Sequence, residues 1–302
     1  MIRSFPLSKI LGKPVLLKME CYQRLGSFKI RGIGKLCQAL VAAGKKHLVS
    51  SSGGNAGYAT AYAGKKLGVD VTVFMSTKTP EIYVNAIKSE GANVSIKGDT
   101  LDEANEAAKQ YVKEVSGGFV PPFDHPTIWA GHSTIIDEVV KQSEKPGAIL
   151  VAVGGGGLAC GILQGLHRYG WDDVPLFTVE TEGAASFMAS VKANKVVTLS
   201  EINTVAGTLA AKRVTDELFD WTKKHTITPL TVTDKEAVQS CLRFLDNHRV
   251  LVEPACGAPL AVIYNNAAAL KSVDSVLVIV CGGIGISVDM LGKYLEQLSV
   301  SK

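Results

Sequence analysis

The apolar positions of this chain alternate between two rhythms. Val15 to Glu20 reads as a short strand, and Ile30 to Ala43 as a helix stopped by Gly44. Short apolar runs then trade places with helical periodicity. Strands are predicted at 47–51, 70–75 and 93–97, and helices at 55–67, 80–90 and 101–115, with Phe119-Val120 as a further strand. The stretch from Pro121 to Pro126 breaks the pattern, and a helix is predicted from His132 to Gln142. The alternation restarts with a strand at 148–153, a helix at 158–168 and a strand at 176–180. Helices follow at 234–247 and 255–270, and Ser275 to Val280 is a wholly apolar strand of the buried type. A last amphipathic helix runs from Ile286 to Leu298, with Ile286, Met290, Tyr294, Leu295 and Leu298 on one face. Strands separated by helices of this length imply βαβ units and parallel sheets. The expectation is an α/β protein of two domains. A small domain over 25–126 is inserted in a large one formed by 1–24 and 127–302, each an open, twisted parallel sheet flanked by helices.

Composition agrees and narrows the function classes. The 302 residues are 46% apolar and 20% charged, which supports sizeable cores. The net charge is +4, but the basic residues are scattered in pairs such as Lys45-Lys46, not gathered in the stripe a nucleic-acid surface needs. Residues Met1 to Pro14 lack the apolar core of a secretory signal. Ala148 to Leu166 is uncharged and long enough to raise a membrane question. Its four consecutive glycines and Gln164 fit a buried strand, a loop and a packed helix better. The six cysteines form no CxxC pair, so reduced thiols and a cytoplasmic location are expected. The six histidines show no HxxxH spacing, which gives no metal signal.

Four segments carry candidate chemistry. In Gly26-Ser27-Phe28-Lys29-Ile30-Arg31-Gly32, a lysine stands where loop turns into helix. Gly26 admits a turn that other residues resist, and Ser27 is a candidate N-cap. The positive end of the helix and burial both disfavour an ammonium, and a neutral lysine amine is what a Schiff base needs. Alone, Lys29 is more economically a solvated helix lysine. Ser51-Ser52-Gly53-Gly54-Asn55-Ala56-Gly57 joins a strand to a helix and offers free N–H groups to a carboxylate or phosphate, although most such turns bind nothing. Gly154-Gly155-Gly156-Gly157-Leu158 also follows a strand and opens a helix, with more glycine than a turn requires, which fits close approach of a phosphate. Cys281-Gly282-Gly283 ends the last buried strand, where a thiol can meet a ring nitrogen or simply pack. Taken by itself, Gly154, Gly156 and Ala159 with Glu180 after the next strand also fit a dinucleotide fingerprint and a nicotinamide oxidoreductase. That reading leaves Lys29 and the asparagine turn without a role. An imine-forming lysine, two anion loops and a partner for a heteroaromatic nitrogen together describe a site for pyridoxal 5′-phosphate and an amino acid.

The chain resembles the fold-type II pyridoxal 5′-phosphate enzymes, of tryptophan synthase β-like architecture. Within them it resembles the eukaryotic L-serine/L-threonine dehydratases, including the serine dehydratase-like proteins. GSFKIRGIG (26–34), SSGGNAG (51–57), PFDHP (122–126), GGGGL (154–158), VEPACGA (252–258) and VIVCGG (278–283) fall in that family's order and spacing. The resemblance implies an ammonia-lyase that eliminates the β-hydroxyl of L-serine, giving pyruvate and ammonia, or of L-threonine, giving 2-oxobutanoate. It implies that Lys29 binds the cofactor covalently and then acts as general base. Phe28 and Asn55 would flank the cofactor ring, Gly154, Gly155, Gly156, Gly157 and Leu158 would hold its phosphate, and Cys281 would face the pyridine nitrogen. Ser52, Gly53, Asn55 and Ala56 would bind the substrate carboxylate. A monovalent cation, K+, would sit at Glu180, Ala184, Leu209 and Ala211. The resemblance also implies a homodimer with a small amino-acid substrate and no nucleic-acid or membrane partner. Racemisation on the same scaffold, or a weakly active cofactor-binding protein, are the competing outcomes. Three departures from the family pattern stand out: an abbreviated stretch from Met1 to Leu7 with Ser4-Phe5-Pro6-Leu7 near the usual Thr-Pro-Leu, Gln23-Arg24-Leu25 before the lysine loop, and Ile284-Gly285 after Cys281-Gly282-Gly283; Gly53 matches the dehydratase-like subgroup, where other members carry alanine.

Overall fold

A computed structural model describes residues 1–300. The chain opens with β1 (Ile2–Arg3), α1 (Phe5–Leu11) and β2 (Val15–Met19). Next come α2 (Lys29–Ala42), β3 (His47–Ser50), α3 (Asn55–Leu67), β4 (Asp70–Met75), α4 (Glu81–Ser89), β5 (Asn93–Ile96), α5 (Leu101–Glu114), β6 (Gly118–Val120) and α6 (Pro126–His132). The remainder holds α7 (Thr134–Gln142), β7 (Ile149–Ala152), α8 (Gly157–Arg168), β8 (Leu176–Thr181), α9 (Ser186–Ala193), α10 (Asp216–Trp221), β9 (Ile227–Val232), α11 (Asp234–His248), α12 (Pro254–Tyr264), β10 (Val276–Val280) and α13 (Val288–Val300). The chain divides into two compact units. One comprises Met1–Tyr22 and Ser133–Lys302, and the other Gln23–His132.

The unit 23–132 has a four-stranded sheet in the order β5-β4-β3-β6, parallel throughout. The chain steps outward from β3 to β4 to β5, and α5 then carries it back to place β6 on the free side of β3. The sequence path therefore reverses between β3 and β6. α2 and α3 pack together around Ile33, Leu36, Cys37, Ala56, Ala59 and Ala63, all buried. The small side chains of α3 let it lie close to the sheet: a Cβ on Gly64 would stand 2.1 Å from Val71 Cγ2.

The other unit has a six-stranded sheet in the order β1-β2-β10-β7-β8-β9, parallel except for β1 against β2. Here the path runs outward through β7, β8 and β9, and β10 returns to the other side of β7. The path of this sheet therefore reverses between β7 and β10. The central strands are buried on both faces: β7 and β10 are unbroken apolar runs, and β8 is wholly buried although it carries Thr178, Glu180 and Thr181. Helix α12, between the outer strand β9 and the returning β10, is buried along its whole length. The uncharged run at 148–166 resolves into β7, the glycine loop and α8. Among the described residues no helix is long and apolar enough to cross a membrane.

Candidate active site

In open parallel sheets, ligands gather outside the carboxyl ends of strands where the path reverses. In the unit 23–132 that point lies between β3 and β6, and both sequence-predicted segments of this unit converge on it. The carboxyl end of β3 leads through Ser51–Gly54 into α3, whose first residue is Asn55, buried with 7% exposure. The loop folds tightly over the first turn of α3. A Cβ on Gly57 would stand 1.8 Å from the Ser52 carbonyl oxygen, so no side chain fits there without moving the loop. Ser52 Oγ accepts from the Gly54 N–H at 3.4 Å. Gly53 is held against Met75 and Thr79: a Cβ would stand 2.7 Å from Met75 Cβ and from Thr79 Oγ1. Ser52, Gly53, Asn55 and Ala56 are thus one continuous, rigid turn at a helix N-terminus, a geometry suited to an anion.

Lys29 arrives from the other side. It is the first residue of α2, after a turn at Gly26 with φ of +69° closed by a 2.7 Å bond from Gly26 N–H to the Gln23 carbonyl. The expected N-cap is corrected. Phe28, not Ser27, occupies that position, with no side-chain cap bond, and Ser27 Oγ is buried without a hydrogen-bond partner among the described residues. Lys29 Nζ donates to the Pro122 carbonyl at 2.7 Å and lies 5.1 Å from the Phe28 ring centroid. Pro122 follows the carboxyl end of β6, so the amine and the asparagine turn are brought to the ends of adjacent strands. Arg24, the departure before the loop, is exposed, and its guanidinium lies over the Tyr62 ring at 5.4 Å.

In the other unit the reversal between β7 and β10 places Gly154–Gly157 beside Cys281. Gly156, the N-cap of α8, has φ of +92°, and a Cβ on it would stand 2.9 Å from Leu218 Cδ2. A Cβ on Gly154 would stand 3.2 Å from Leu209 Cα. The Gly155 carbonyl accepts from Thr215 N–H at 3.0 Å, which ties the loop to the start of α10. This is a bare backbone cradle at a helix N-terminus, and it fits a phosphate.

Cys281 is buried beside Cys256, and its thiol is pushed well up by the Cys256 contact, by burial and by the charge of Glu253. It stays a neutral thiol over the working pH range. Glu253, the N-cap of α12 and 3% exposed, organises the surroundings. Its carboxylate accepts from Gly285 N–H at 2.6 Å and from Thr208 Oγ1 at 2.8 Å. It also fills the space that a Cβ on Gly283 would take, at 2.0 Å. Through Thr208 it connects the cysteine turn to the Leu209 segment behind Gly154. The sequence motif at 252–258 pointed to this region but not to the role of Glu253, which depends on contacts 30 to 45 residues away.

Glu180 ends β8 with no exposure, and its two oxygens accept from Phe187 and Met188 N–H at 2.8 Å each. Burial raises its pKa to about 7. A dinucleotide reading needs this carboxylate open to a ribose, and its burial removes that alternative. Ala184 and Leu209 are buried in the same unit, and the Leu209 carbonyl accepts from Ala211 N–H at 2.7 Å. Among the described residues no group of three or more His, Cys, Asp or Glu side chains is placed to hold a metal ion.

Comparison with known proteins agrees with this chemistry. Residues 1–282 match the model of a family described as "Pyridoxal-phosphate dependent enzyme". The chain is 47% identical over 307 residues to an L-serine dehydratase/L-threonine deaminase of Bos taurus, covering 98% of this chain and 94% of that protein. It is 44% identical over 296 residues to a serine dehydratase-like protein of Homo sapiens, covering 95% of this chain and 90% of that one. Among solved structures it is similar to a fungal L-serine ammonia-lyase from Rhizomucor miehei, with a TM-score of 0.93, 35% identity and coverage of 98% and 96%. With its bare glycine cradle, its lysine at a helix start and these full-length relatives, the chain belongs to the family of pyridoxal-phosphate dependent enzymes, of fold type II.

Proposed function

We propose that the chain is an L-serine/L-threonine ammonia-lyase, which converts L-serine to pyruvate and ammonia and L-threonine to 2-oxobutanoate and ammonia. The observation that carries this reading is near full-length similarity to relatives named L-serine dehydratase/L-threonine deaminase at 43–47% identity. When bound, the cofactor supplies an electron sink for the bond broken at the substrate α-carbon. The protein supplies attachment, orientation and proton transfer. Lys29 would hold the cofactor covalently and would act as general base at the substrate α-carbon. Phe28 and Asn55 would flank the ring. The N–H groups of Gly154, Gly155, Gly156, Gly157 and Leu158 would hold the phosphate, aided by the positive end of α8. Cys281 would face the ring nitrogen as a neutral thiol, which would add no negative charge there. The turn Ser52, Gly53, Asn55 and Ala56 takes the substrate carboxylate.

Glu180, with carbonyls of Ala184, Leu209 and Ala211, is the site we assign to a monovalent cation, K+. A buried carboxylate pushed up to about 7 is a group that gains from a nearby cation. Six free cysteines suit a reducing, cytoplasmic setting, and a homodimer is the assembly that the resemblance implies.

The deciding experiment measures keto-acid formation from L-serine and L-threonine with and without added pyridoxal 5′-phosphate, followed by borohydride reduction and mapping of the labelled peptide. The reading expects both keto acids, dependence on the cofactor and label on Lys29. A cofactor-loaded protein that forms neither keto acid would sink it, and D-serine formed faster than pyruvate would redirect it to racemisation.

A further inference from the structure

The helix that carries Lys29 is held at its first turn by an unusually close contact. Gly32 lies nearly one turn beyond Lys29. A Cβ there would stand 2.6 Å from His132 Cε1 and 2.6 Å from the Ile128 carbonyl oxygen. From the facing helix, a Cβ on Gly131 would stand 2.5 Å from both the Arg31 carbonyl oxygen and Gly32 Cα. α2 and α6 therefore touch backbone to backbone, and the imidazole of His132 fills the notch left at Gly32. The same ring meets Phe28 edge-on, with centroids 4.8 Å apart and planes at 60°. Phe28 is the N-cap of α2 and Lys29 its first residue, so one side chain touches the helix on both sides of the lysine.

His132 is an expensive choice for that place. It has no exposure, and neither ring nitrogen has a hydrogen-bond partner among the described residues. A buried polar group without a partner destabilises the fold, and an apolar group of similar shape relieves that cost. Packing alone would favour a leucine. We propose that His132 is a positioning residue for Lys29: seated in the Gly32 notch and edge-on to Phe28, it fixes the first turn of α2 so that the amine leaves the helix in one direction. This rests on the reading of Lys29 as attachment point and base. Burial, then the charges of Lys29 and Arg31, hold the imidazole well below its ordinary pKa, so it adds no positive charge beside the lysine. The far end of the lysine is held by the Pro122 carbonyl at 2.7 Å. Both holds come from one stretch, 122–132, which joins β6 to the end of α6.

The test uses the cofactor-loaded enzyme and the variants His132→Leu, Phe28→Leu and the double substitution. His132→Leu is expected to lower kcat for L-serine by roughly three- to tenfold, the range that an aromatic edge contact spans. KM should change less than twofold, because the carboxylate turn lies on α3, and the melting temperature should stay level or rise. In the Phe28→Leu background, adding His132→Leu should cost less than twofold further, because the contact is already gone. An unchanged kcat, a melting temperature that falls together with kcat, or losses that simply multiply in the double variant would each overturn the proposal. Should His132→Leu not fold, His132→Gln, uncharged and unbranched, carries the same measurements. Borohydride trapping is read in parallel. Wild-type enzyme that places no label on Lys29 refutes the underlying reading, whereas normal label with an unaltered kcat in the variants refutes only the role of His132.

Discussion

Replacing Glu180 by glutamine tests how the unit formed by 1–22 and 133–302 handles a buried charge. The carboxyl is raised from the ordinary 4.5 to about 7 by burial, against the opposing bonds from Phe187 and Met188 N–H. Between those two pH values the native state keeps a proton that the unfolded chain has released. Stability therefore falls as pH rises. The contribution is complete below 4.5 and gone above 7. At about 1.4 kcal/mol for each pH unit between the two values, wild type should lose on the order of 3 kcal/mol relative to Glu180→Gln across that window. Glutamine offers one acceptor oxygen in place of two, so one of the two backbone N–H groups loses its partner. That cost is the same at every pH and shifts the variant's curve without tilting it. The assay is urea unfolding of both proteins at pH 5, 6, 7 and 8, in buffers whose only monovalent cation is tetramethylammonium. Parallel stability curves across that range would refute the burial argument. Adding K+ then tests the cation site. Potassium should stabilise wild type most at pH 8, where the carboxylate is charged, and should leave Glu180→Gln unmoved. Equal stabilisation of both proteins would remove Glu180 from any cation site.

Lys29→Ala should abolish keto-acid formation while leaving the melting temperature of the cofactor-free protein within a few degrees of wild type. Substantial turnover by that variant, measured under saturating cofactor, would end the proposed mechanism. Gly156→Val should weaken cofactor binding at least tenfold, because the left-handed backbone at +92° and the 2.9 Å approach of Leu218 both resist a branched side chain; equilibrium titration of the apoprotein reads this directly. Gly57→Ala should force the Ser52 carbonyl back by about 1.5 Å to restore ordinary contact. Overpacking of that kind costs about 1–3 kcal/mol, and a shift of the carboxylate turn by an ångström costs up to about a hundredfold in kcat/KM. Unchanged kcat/KM for L-serine would show that the turn does not position substrate.

What the sequence makes legible is what lies close together along the chain. α3 and β4 begin and end where the apolar pattern places them, because Gly68, at φ of +70°, stops the helix. β9 escapes sequence reading because it contains Pro229, which argues against a strand in a sheet. The sheet tolerates it because β9 is an outer strand, paired only to β8, with Pro229 opposite Thr178. The helix expected over 132–142 is α7, and a separate short helix, α6, precedes it across Ser133 where the sequence reading places none. α1 carries its signals in plain form, with Ser4 Oγ accepting from Leu7 N–H and Gly12 closing the end at φ of +73°, but seven residues give too short a period to read. The site divides in the same way. The asparagine turn, the glycine cradle, Lys29 and Cys281 are local patterns, each with its chemistry in adjacent residues. Pro122, His132, Glu253 and Thr208 are not local. Pro122 contributes a backbone carbonyl, which no side-chain identity announces, and His132 acts across a helix crossing fixed by Gly32 and Gly131. Glu253 and Thr208 meet where the start of α12 packs against the segment 207–209, across 45 residues of sequence. A motif thus records which groups can react, whereas the strand order determines which groups hold them. The place of Lys29 is set by both, and the second is the more exposed to substitutions far from it in sequence.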